Sequence, residues 1–517
     1  LALQETVQYY YLLQTVSQVP TPSPKKISDT KTELQGTSTI DYCDWSADET
    51  IAAIKNKSVT AREYISSVLN RAEKTESLNA FINLLPDYAL STADKVDSAI
   101  AAGNPPPLAG LAIVVKDNIN LAGFPTTAGT AALQHHRPST TAPSLEKLIA
   151  AGAIVIGKTN LHELSLGVTS TNLQPFANPV RNPYDRNRTV GGSSGGTAVA
   201  IASRVVTCGL GTDTGGSLRI PAALTGIVGF RPSVGNGGIE RRYHDSDTVV
   251  PLSSTRDTVG PMGRSVSEIS LLSSIITGQP RVIATELRGL RFGVPPVLWS
   301  GLDEEVNRIS AEARMKLLKA GVILVDDDIP NLLSFDKAVG GIIVSHEAKS
   351  AIPAYLAASN ISNVSLRDIY DGIASPDVKA VFKTILNCTH EREYREIMTV
   401  TRPALQKLYA DYFSQKRVDA IMCPTTILPA TLIDHTHGSG DISINGGSPV
   451  NAFSSYIRNT SPAGSVGIPA LSIPVGMTAH GLPVGINFDG PLGRDDRLIS
   501  IGLAIEKIFG SLPPPNV

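Results

Sequence analysis

The residues best suited to do chemistry are serines set among glycines in residues 191–232. This stretch reads GGSSGGTAVAIASRVVTCGLGTDTGGSLRIPAALTGIVGFRP and contains Ser193, Ser194 and Ser217. Glycine on both sides of a serine lets the backbone turn sharply and lets a substrate approach the main chain closely. Because a serine hydroxyl is a weak nucleophile, catalysis by one of these serines requires a base beside it.

Other interpretations of these glycine-rich loops are weaker. The stretch contains neither G-x-x-x-x-G-K-[ST] nor G-x-G-x-x-G, so phosphate binding is disfavoured. Residues 191–195 match the letters of G-x-S-x-G, but that elbow follows a buried strand, whereas residues 185–189 are polar. Residues 152–159 match the letters of a P-loop, but residues 153–156 are apolar and predict a strand instead of a loop. A serine activated by a lysine is a known alternative to the Ser-His-Asp triad.

The candidate base is Lys116, in the sequence LAGLAIVVKDNIN. Residues 111–115 are continuously apolar, which predicts a buried strand with Lys116 at its carboxyl end. An ordinary solvent-facing lysine and a lysine pointing into the interior both fit this pattern. Only burial would lower the pKa of the lysine and leave a neutral amine able to act as a base.

These motifs resemble the amidase signature family. The resemblance extends from about residue 46 to about residue 508, and the 24-residue separation of Ser193 and Ser217 fits the pattern of that family. The motifs that carry it are Val115-Lys116-Asp117, Gly157-Lys158-Thr159-Asn160, Asn182-Pro183-Tyr184-Asp185, GGSSGG, Gly211 to Ser217, and Gly481 to Gly485.

The resemblance implies a Ser–cisSer–Lys triad. In such a triad Ser217 is the nucleophile, Ser193 is the bridging serine that follows a cis peptide bond, and Lys116 is the base. Lys158 falls in a structural motif of the family, so it is expected to have no catalytic role.

The resemblance also implies a set of substrate-binding residues. The backbone N–H groups of residues 214–217 are expected to form an oxyanion hole, Ser194 is expected to hold the relay in place by hydrogen bonds, and Gly167 is expected to form part of the substrate wall. The expected substrate-binding set is Thr214, Gly215, Gly216, Ser194 and Gly167.

The elements that must position these residues predict an α/β fold. Capping boxes at Ser46 and Thr60 predict helix starts, and apolar runs of helical and strand length alternate through residues 144–210. Such alternation is typical of a covered sheet. The resemblance implies the amidase-signature fold, with a large, mixed, mostly parallel central sheet covered by helices on both faces.

The expected domain organisation is an N-terminal arm with a Pro-rich spacer, residues 1–40, followed by one amidase domain, residues 41–517. Within that domain, residues 331–420 are predicted to be largely helical, including a helix that starts at Ser350 and has Pro353 in its first turn. In the family, a helical region at this place shapes the substrate pocket. His162 and Glu163 are predicted to lie on a helix.

Composition and spacing argue against several classes of partner. Lys and Arg total 45 and Asp and Glu total 47, so the net charge of −2 does not favour nucleic acid or an anionic membrane. No apolar run reaches the ~18 residues that a membrane span needs. The four cysteines form no C-x-x-C pair, and H-E-x-x-H is incomplete because Leu166 takes the second His position, so neither a metal nor a cofactor is expected.

The expected partner is a small-molecule amide, with a homodimer as a possible assembly through the N-terminal arm. The expected location is the cytoplasm, although Leu1 in the place of an initiator Met also fits a processed or exported form.

The expected activity is hydrolysis of an amide C–N bond through a Ser acyl-enzyme. Several stretches, including Arg181 to Asp185 and Ser254 to Asp257, look most like those of indoleacetamide and mandelamide hydrolases. This implies a primary amide of an aryl-substituted acetic acid. The alternatives are a peptide or acyl amidase, a fatty-acid amide hydrolase, the amidase subunit of a tRNA-dependent amidotransferase, and a non-catalytic binding protein.

Overall fold

The computed structural model describes residues 42–517, which contain one sheet of eleven strands and a separate pair of two strands. The predicted arm, residues 1–40, lies outside the described residues. The strands are β1 (Phe81–Leu84), β2 (Ala112–Lys116), β3 (Ile154–Thr159), β4 (Cys208–Asp213), β5 (Val228–Arg231), β6 (Thr258–Gly263), β7 (Arg291–Gly293), β8 (Ile323–Val325), β9 (Ala420–Pro424), β10 (Asp441–Ile442), β11 (Val450–Asn451), β12 (Ala470–Met477) and β13 (Pro483–Asp489). The order in the sheet is β1-β3-β2-β4-β6-β5-β12-β13-β9-β7-β8, and β10 pairs only with β11.

Strand direction brings the candidate catalytic residues to one edge of the sheet. β2 pairs in parallel with β3 on one side and with β4 on the other. Parallel strands end at the same edge, so Lys116 at the end of β2 lies near the turn that follows Asp213 at the end of β4. A second parallel group is β9-β7-β8, while the strands between the two groups pair antiparallel. The predicted α/β fold with a large mixed sheet is confirmed.

Helices pack on the sheet and begin where the sequence predicts. Ser46 and Thr60 each accept a hydrogen bond from the backbone of the glutamate three residues later, which completes both capping boxes. The helices are Ala47–Lys55, Ala61–Lys74, Pro86–Ala101, Pro143–Ala150, Gly195–Ala202, Arg219–Thr225, Val266–Thr277, Glu304–Lys319, Leu332–Ala358, Leu366–Gly372, Pro376–Leu386, Glu391–Glu396, Arg402–Lys416, Ala452–Ile457, Ser461–Val466 and Asp495–Phe509. None of these helices in residues 42–517 combines the length and apolarity that a membrane span requires.

One short buried helix presents the first serine loop. The helix Gly195–Ala202 consists of small or apolar residues and is buried all round, as expected for a helix without a polar face. A Cβ on Gly196 would lie 2.4 Å from the carbonyl oxygens of Ala80 and Asn160, so only glycine permits this packing. The helix therefore sits directly against the residue before β1 and the residue after β3, with Ser193 and Ser194 at its N-terminal end.

Two predictions about helices are wrong. Pro353 does not lie in a first turn, because a single helix of 27 residues runs from Leu332 to Ala358 with the proline inside it. Apolar side chains on both sides of the proline are buried, so packing keeps the helix continuous across the missing N–H group. His162 and Glu163 do not lie on a regular helix, because Glu163–Ser165 is a short 3-10 turn in which Leu164 has a φ of 55°.

Candidate active site

Lys116 is fully buried and contacts Ser193. Its Nζ lies 2.7 Å from Ser193 Oγ and 2.7 Å from Thr212 Oγ1. Thr212 Oγ1 also accepts a hydrogen bond of 3.1 Å from Asn118 Nδ2. The sequence allowed either a solvent-facing or an interior Lys116, and the structure has this lysine in the interior.

The surroundings of Lys116 favour its neutral form. Burial lowers the pKa of Lys116 to about 7, against an opposing effect of the more distant carboxylates of Asp213 and Asp257. A neutral amine has one lone pair. With one N–H donated to Thr212, that lone pair is available to accept the hydroxyl proton of Ser193.

The two serine loops are joined through Ser194. The peptide bond between Gly192 and Ser193 is cis, as the resemblance implies. Ser194 N–H donates to the carbonyl oxygen of Ser217 at 3.2 Å, and Ser194 Oγ donates to the carbonyl oxygen of Thr212 at 3.1 Å. These contacts fit the expected supporting role of Ser194. Its assignment to the substrate-binding set stays a prediction.

Asp213 shapes the turn that carries Ser217. Its carboxylate accepts hydrogen bonds from the N–H groups of Gly216, at 2.9 Å, and Leu218, at 3.2 Å. Gly216 has a φ of 143°, and a Cβ there would lie 2.2 Å from Thr460 Oγ1. Glycine is therefore required at 216. Because its N–H group is engaged by Asp213, the other three N–H groups of residues 214–217 are the candidates for the predicted oxyanion hole.

Two buried arginines hold Asp213 in its charged form. Arg219 Nε lies 3.0 Å from Asp213 Oδ2, and Arg231 Nη1 lies 3.0 Å from Oδ1. Burial alone would raise the pKa of Asp213, but these two guanidinium groups hold it well below its usual range. The turn is thus fixed by an ionised group.

Ser217 opens onto a cavity of about 740 Å³. Thr214, Gly215 and Gly167 also line this cavity. The apolar lining is mainly aliphatic. It consists of Leu166, Val168, Leu252, Leu333, Val344, Val381, Ile427, Val450, Phe453 and Ile457.

Gly167 is fixed by the ring of His162. A Cβ on Gly167 would lie 2.1 Å from His162 Nε2, so no side chain fits there without moving the ring. The ring is held in turn, because His162 Nε2 lies 3.1 Å from Asp377 Oδ2. The cavity wall at Gly167 therefore depends on a contact with the helix Pro376–Leu386.

Residues of the predicted helical region close the cavity. The helix Leu332–Ala358 contributes Leu333, Asp336, Lys337, Gly340, Gly341, Val344 and Ser345, and the helix Pro376–Leu386 contributes Val381 and Thr384. Buried Glu163 anchors this region, because it accepts hydrogen bonds from the N–H groups of Ala374, at 3.2 Å, and Ser375, at 3.0 Å.

Lys158 is occupied by other partners. Its Nζ lies 3.0 Å from Asp117 Oδ1 and donates to Thr126 Oγ1 at 3.0 Å and to the carbonyl oxygen of Pro125 at 3.2 Å. The structure places this lysine in an ion pair in the core, next to β2.

Several site residues were not found from the sequence. Thr212 contacts Lys116 and accepts from Asn118, and His162 and Glu163 anchor the helical region. Thr212 could have been found from the sequence, because it lies on the strand that leads into the Ser217 turn. The partner of His162 lies 215 residues away in the sequence, so no local pattern could show it. Among residues 42–517, no group of three or more His, Cys, Asp or Glu side chains could hold a metal ion.

The α/β fold and this site define a hydrolase that acts on amide bonds. The family model "Amidase" matches residues 63–499. The chain belongs to this amidase family. It is 38% identical over 484 residues to mandelamide hydrolase of Pseudomonas putida, which covers 90% of this chain and 92% of the relative.

Two further comparisons also match amide hydrolases over most of the chain. Indoleacetamide hydrolase of Agrobacterium vitis is 38% identical over 475 residues, which covers 91% of this chain and 98% of the relative. The solved structure of native peptide amidase from Stenotrophomonas maltophilia superposes with a TM-score of 0.78 at 26% identity, over 92% of this chain and 99% of that one.

Proposed function

We propose that this amidase hydrolyses a primary amide of an aryl-substituted acetic acid through an acyl-enzyme on Ser217. The observation that carries the catalytic part is the 2.7 Å contact between buried Lys116 Nζ and Ser193 Oγ. A lysine in this position can accept a proton only when it is neutral, and its lowered pKa of about 7 makes the neutral form accessible near neutral pH.

The proposed first half-reaction forms the acyl-enzyme. The proton of Ser217 passes to Ser193 while the proton of Ser193 passes to Lys116, and Ser217 Oγ attacks the amide carbonyl carbon. The tetrahedral intermediate then breaks its C–N bond. The proton returns from Lys116 through Ser193 to the leaving nitrogen, so that ammonia departs and an ester on Ser217 remains.

The second half-reaction uses the same relay. Water attacks the ester carbonyl and gives its proton to the relay, and the carboxylic acid leaves as Ser217 recovers its proton. In both halves the developing oxyanion is stabilised by the N–H groups of Thr214, Gly215 and Ser217. One such donor is worth about 3 kcal/mol of transition-state stabilisation.

The substrate assignment is supported by two facts. The relatives at 38% identity carry the names mandelamide hydrolase and indoleacetamide hydrolase. The cavity beside Ser217 has mainly apolar side chains in its wall, which suits an aryl group.

The volume of the cavity favours a second candidate. At about 740 Å³ it has room for more than an arylacetamide, and its apolar lining is mainly aliphatic. A primary amide with a longer aliphatic acyl group would fill this space better.

The test is ammonia release from a panel of amides. The panel contains 2-phenylacetamide, indole-3-acetamide, mandelamide, octanamide and a peptide amide, with the Ser217→Ala variant as the matched blank. We expect the highest kcat/KM among the three arylacetamides. A higher kcat/KM for octanamide selects the second candidate, and activity on the peptide amide alone contradicts both.

A further inference from the structure

Arg256 is a buried cation in the wall of the substrate cavity. It lies just before β6, is only 3% exposed and lines the cavity together with Ser217. Its Nη2 lies 3.4 Å from the position that a Cβ on Gly215 would occupy. The guanidinium therefore packs against the main chain two residues before Ser217.

The guanidinium has hydrogen-bonding capacity that the protein does not use. Nη1 donates to the carbonyl oxygen of Gly340 at 3.2 Å, and Nη2 donates to Ser461 Oγ at 3.1 Å and to the carbonyl oxygen of Ser461 at 3.4 Å. Nε has no partner within residues 42–517, although it is buried. A guanidinium carries five N–H donors, so this one can still donate to a ligand.

Its charge is also not directly paired. No carboxylate oxygen of the described residues forms an ion pair with Arg256, whereas the neighbouring Arg219 and Arg231 both pair with Asp213. Asp257, next to it in the sequence, accepts instead from the N–H groups of Leu252 and Ser253. The carboxylates of Asp336, Asp213, Asp257 and Glu347 stabilise this charge from a distance, and Asp336 lines the same cavity. An acceptor on a bound ligand would add a direct hydrogen bond to the buried cation.

We propose that Arg256 is a specificity-determining residue that donates a hydrogen bond to an oxygen substituent on the carbon next to the scissile carbonyl. This rests on the proposed function, in which the substrate carbonyl lies at Ser217. Because the guanidinium packs beside Gly215, the substrate atoms within its reach are those next to the carbonyl carbon. The preferred substrates are amides of 2-hydroxy or 2-oxo acids, and an amide with an ammonium group at that carbon is repelled.

The first test uses the unmodified enzyme and three amides that differ only at this carbon. They are mandelamide, with a hydroxyl group, 2-phenylacetamide, with hydrogen, and 2-phenylglycinamide, at a pH where its amine is protonated. We expect kcat/KM to fall in that order. Equal kcat/KM for mandelamide and protonated 2-phenylglycinamide would overturn the proposal.

The second test compares variants. In Arg256→Met, the ratio of kcat/KM for mandelamide to that for 2-phenylacetamide should fall on the order of 10- to 100-fold, as for a lost hydrogen bond to a charged group. An unchanged ratio in this variant refutes the assignment. If the variant does not fold, the three amides with the unmodified enzyme decide.

Arg402 is the matched control. It is also buried, but its three nitrogens donate to Ser465, Asn236 and Gly235, and it does not line the cavity. Arg402→Lys should therefore keep the ratio of the unmodified enzyme. If no arylacetamide is hydrolysed, the proposed function fails by itself. The same ratio is then measured with 2-hydroxyoctanamide and octanamide, and an unchanged ratio in Arg256→Met overturns the role of Arg256.

Discussion

The pH dependence of the rate distinguishes between two buried lysines. Burial lowers the pKa of both Lys116 and Lys158, so a lowered pKa does not identify the base. The contacts favour Lys116 as the proposed base, because Lys116 Nζ contacts Ser193 whereas Lys158 Nζ contacts Asp117. Only the titration of Lys116 should control turnover.

The size of the effect follows from the pKa of about 7 for Lys116. The neutral fraction of such an amine is about 10% at pH 6, about 50% at pH 7 and about 90% at pH 8. Since only the neutral amine accepts a proton, kcat/KM should rise about tenfold between pH 6 and pH 8 and then reach a plateau. The midpoint would belong to the proposed Lys116–Ser193–Ser217 relay and not to one group alone.

The assay is ammonia release from a neutral primary amide between pH 5.5 and pH 9 at constant ionic strength. Lys116→Ala should lower kcat/KM by about 100-fold or more and remove the ascending limb. The control is Lys158→Met combined with Asp117→Asn, because removing one member of a buried ion pair costs about 3–5 kcal/mol of stability whereas replacing both can be nearly neutral. An ascending limb that survives in Lys116→Ala and vanishes in the control would show that the base is Lys158.

Three further predictions concern the nucleophile, the serine turn and metals. Ser217→Ala should abolish turnover without loss of the fold, and mass spectrometry of the unmodified enzyme with a slow ester should show the acyl adduct on the Ser217 peptide. An adduct on another serine contradicts this assignment. Asp213→Asn should lower the free energy of unfolding by about 3–5 kcal/mol, measured by urea denaturation, because the charges of Arg219 and Arg231 lose their partner. An effect below about 1 kcal/mol would show that the pair does not hold the turn. Exhaustive dialysis against a chelator should leave kcat unchanged, and a loss of activity restored by a metal ion would argue against the serine mechanism.

The local elements were predictable because their signals are local. The capping boxes at Ser46 and Thr60 each need only four consecutive residues, and the apolar run before Lys116 identifies a strand by itself. β1 was not predicted, because its four residues are all only partly buried and lack a clear alternation. Lys158 was separated from a phosphate loop by its apolar neighbours. The strand predicted at residues 153–156 overlaps β3, which continues through Lys158 to Thr159.

The candidate site residues could be proposed from the sequence, but their contacts could not. The glycine pattern identified Ser193 and Ser217, yet the hydroxyl of Thr212 on Lys116 depends on the register of two strands that lie 96 residues apart. The sequence also did not show that Asp213 engages the N–H group of Gly216, because a carboxylate can accept from any donor that the turn brings near it. Long-range pairings of this kind arise from tertiary structure and leave no periodic signal.

The cavity is built from two separate parts of the chain. The reacting groups lie on strand ends and turns between residues 116 and 217, while much of the opposite wall comes from helices between residues 332 and 386. These helices are fixed to the body by a few buried side chains, such as Glu163 and His162. Substitutions on the cavity side of the helices can therefore accumulate without disturbing the reacting groups. In evolutionary terms, such a chain can acquire a new substrate by changing one segment while the inherited chemistry is kept.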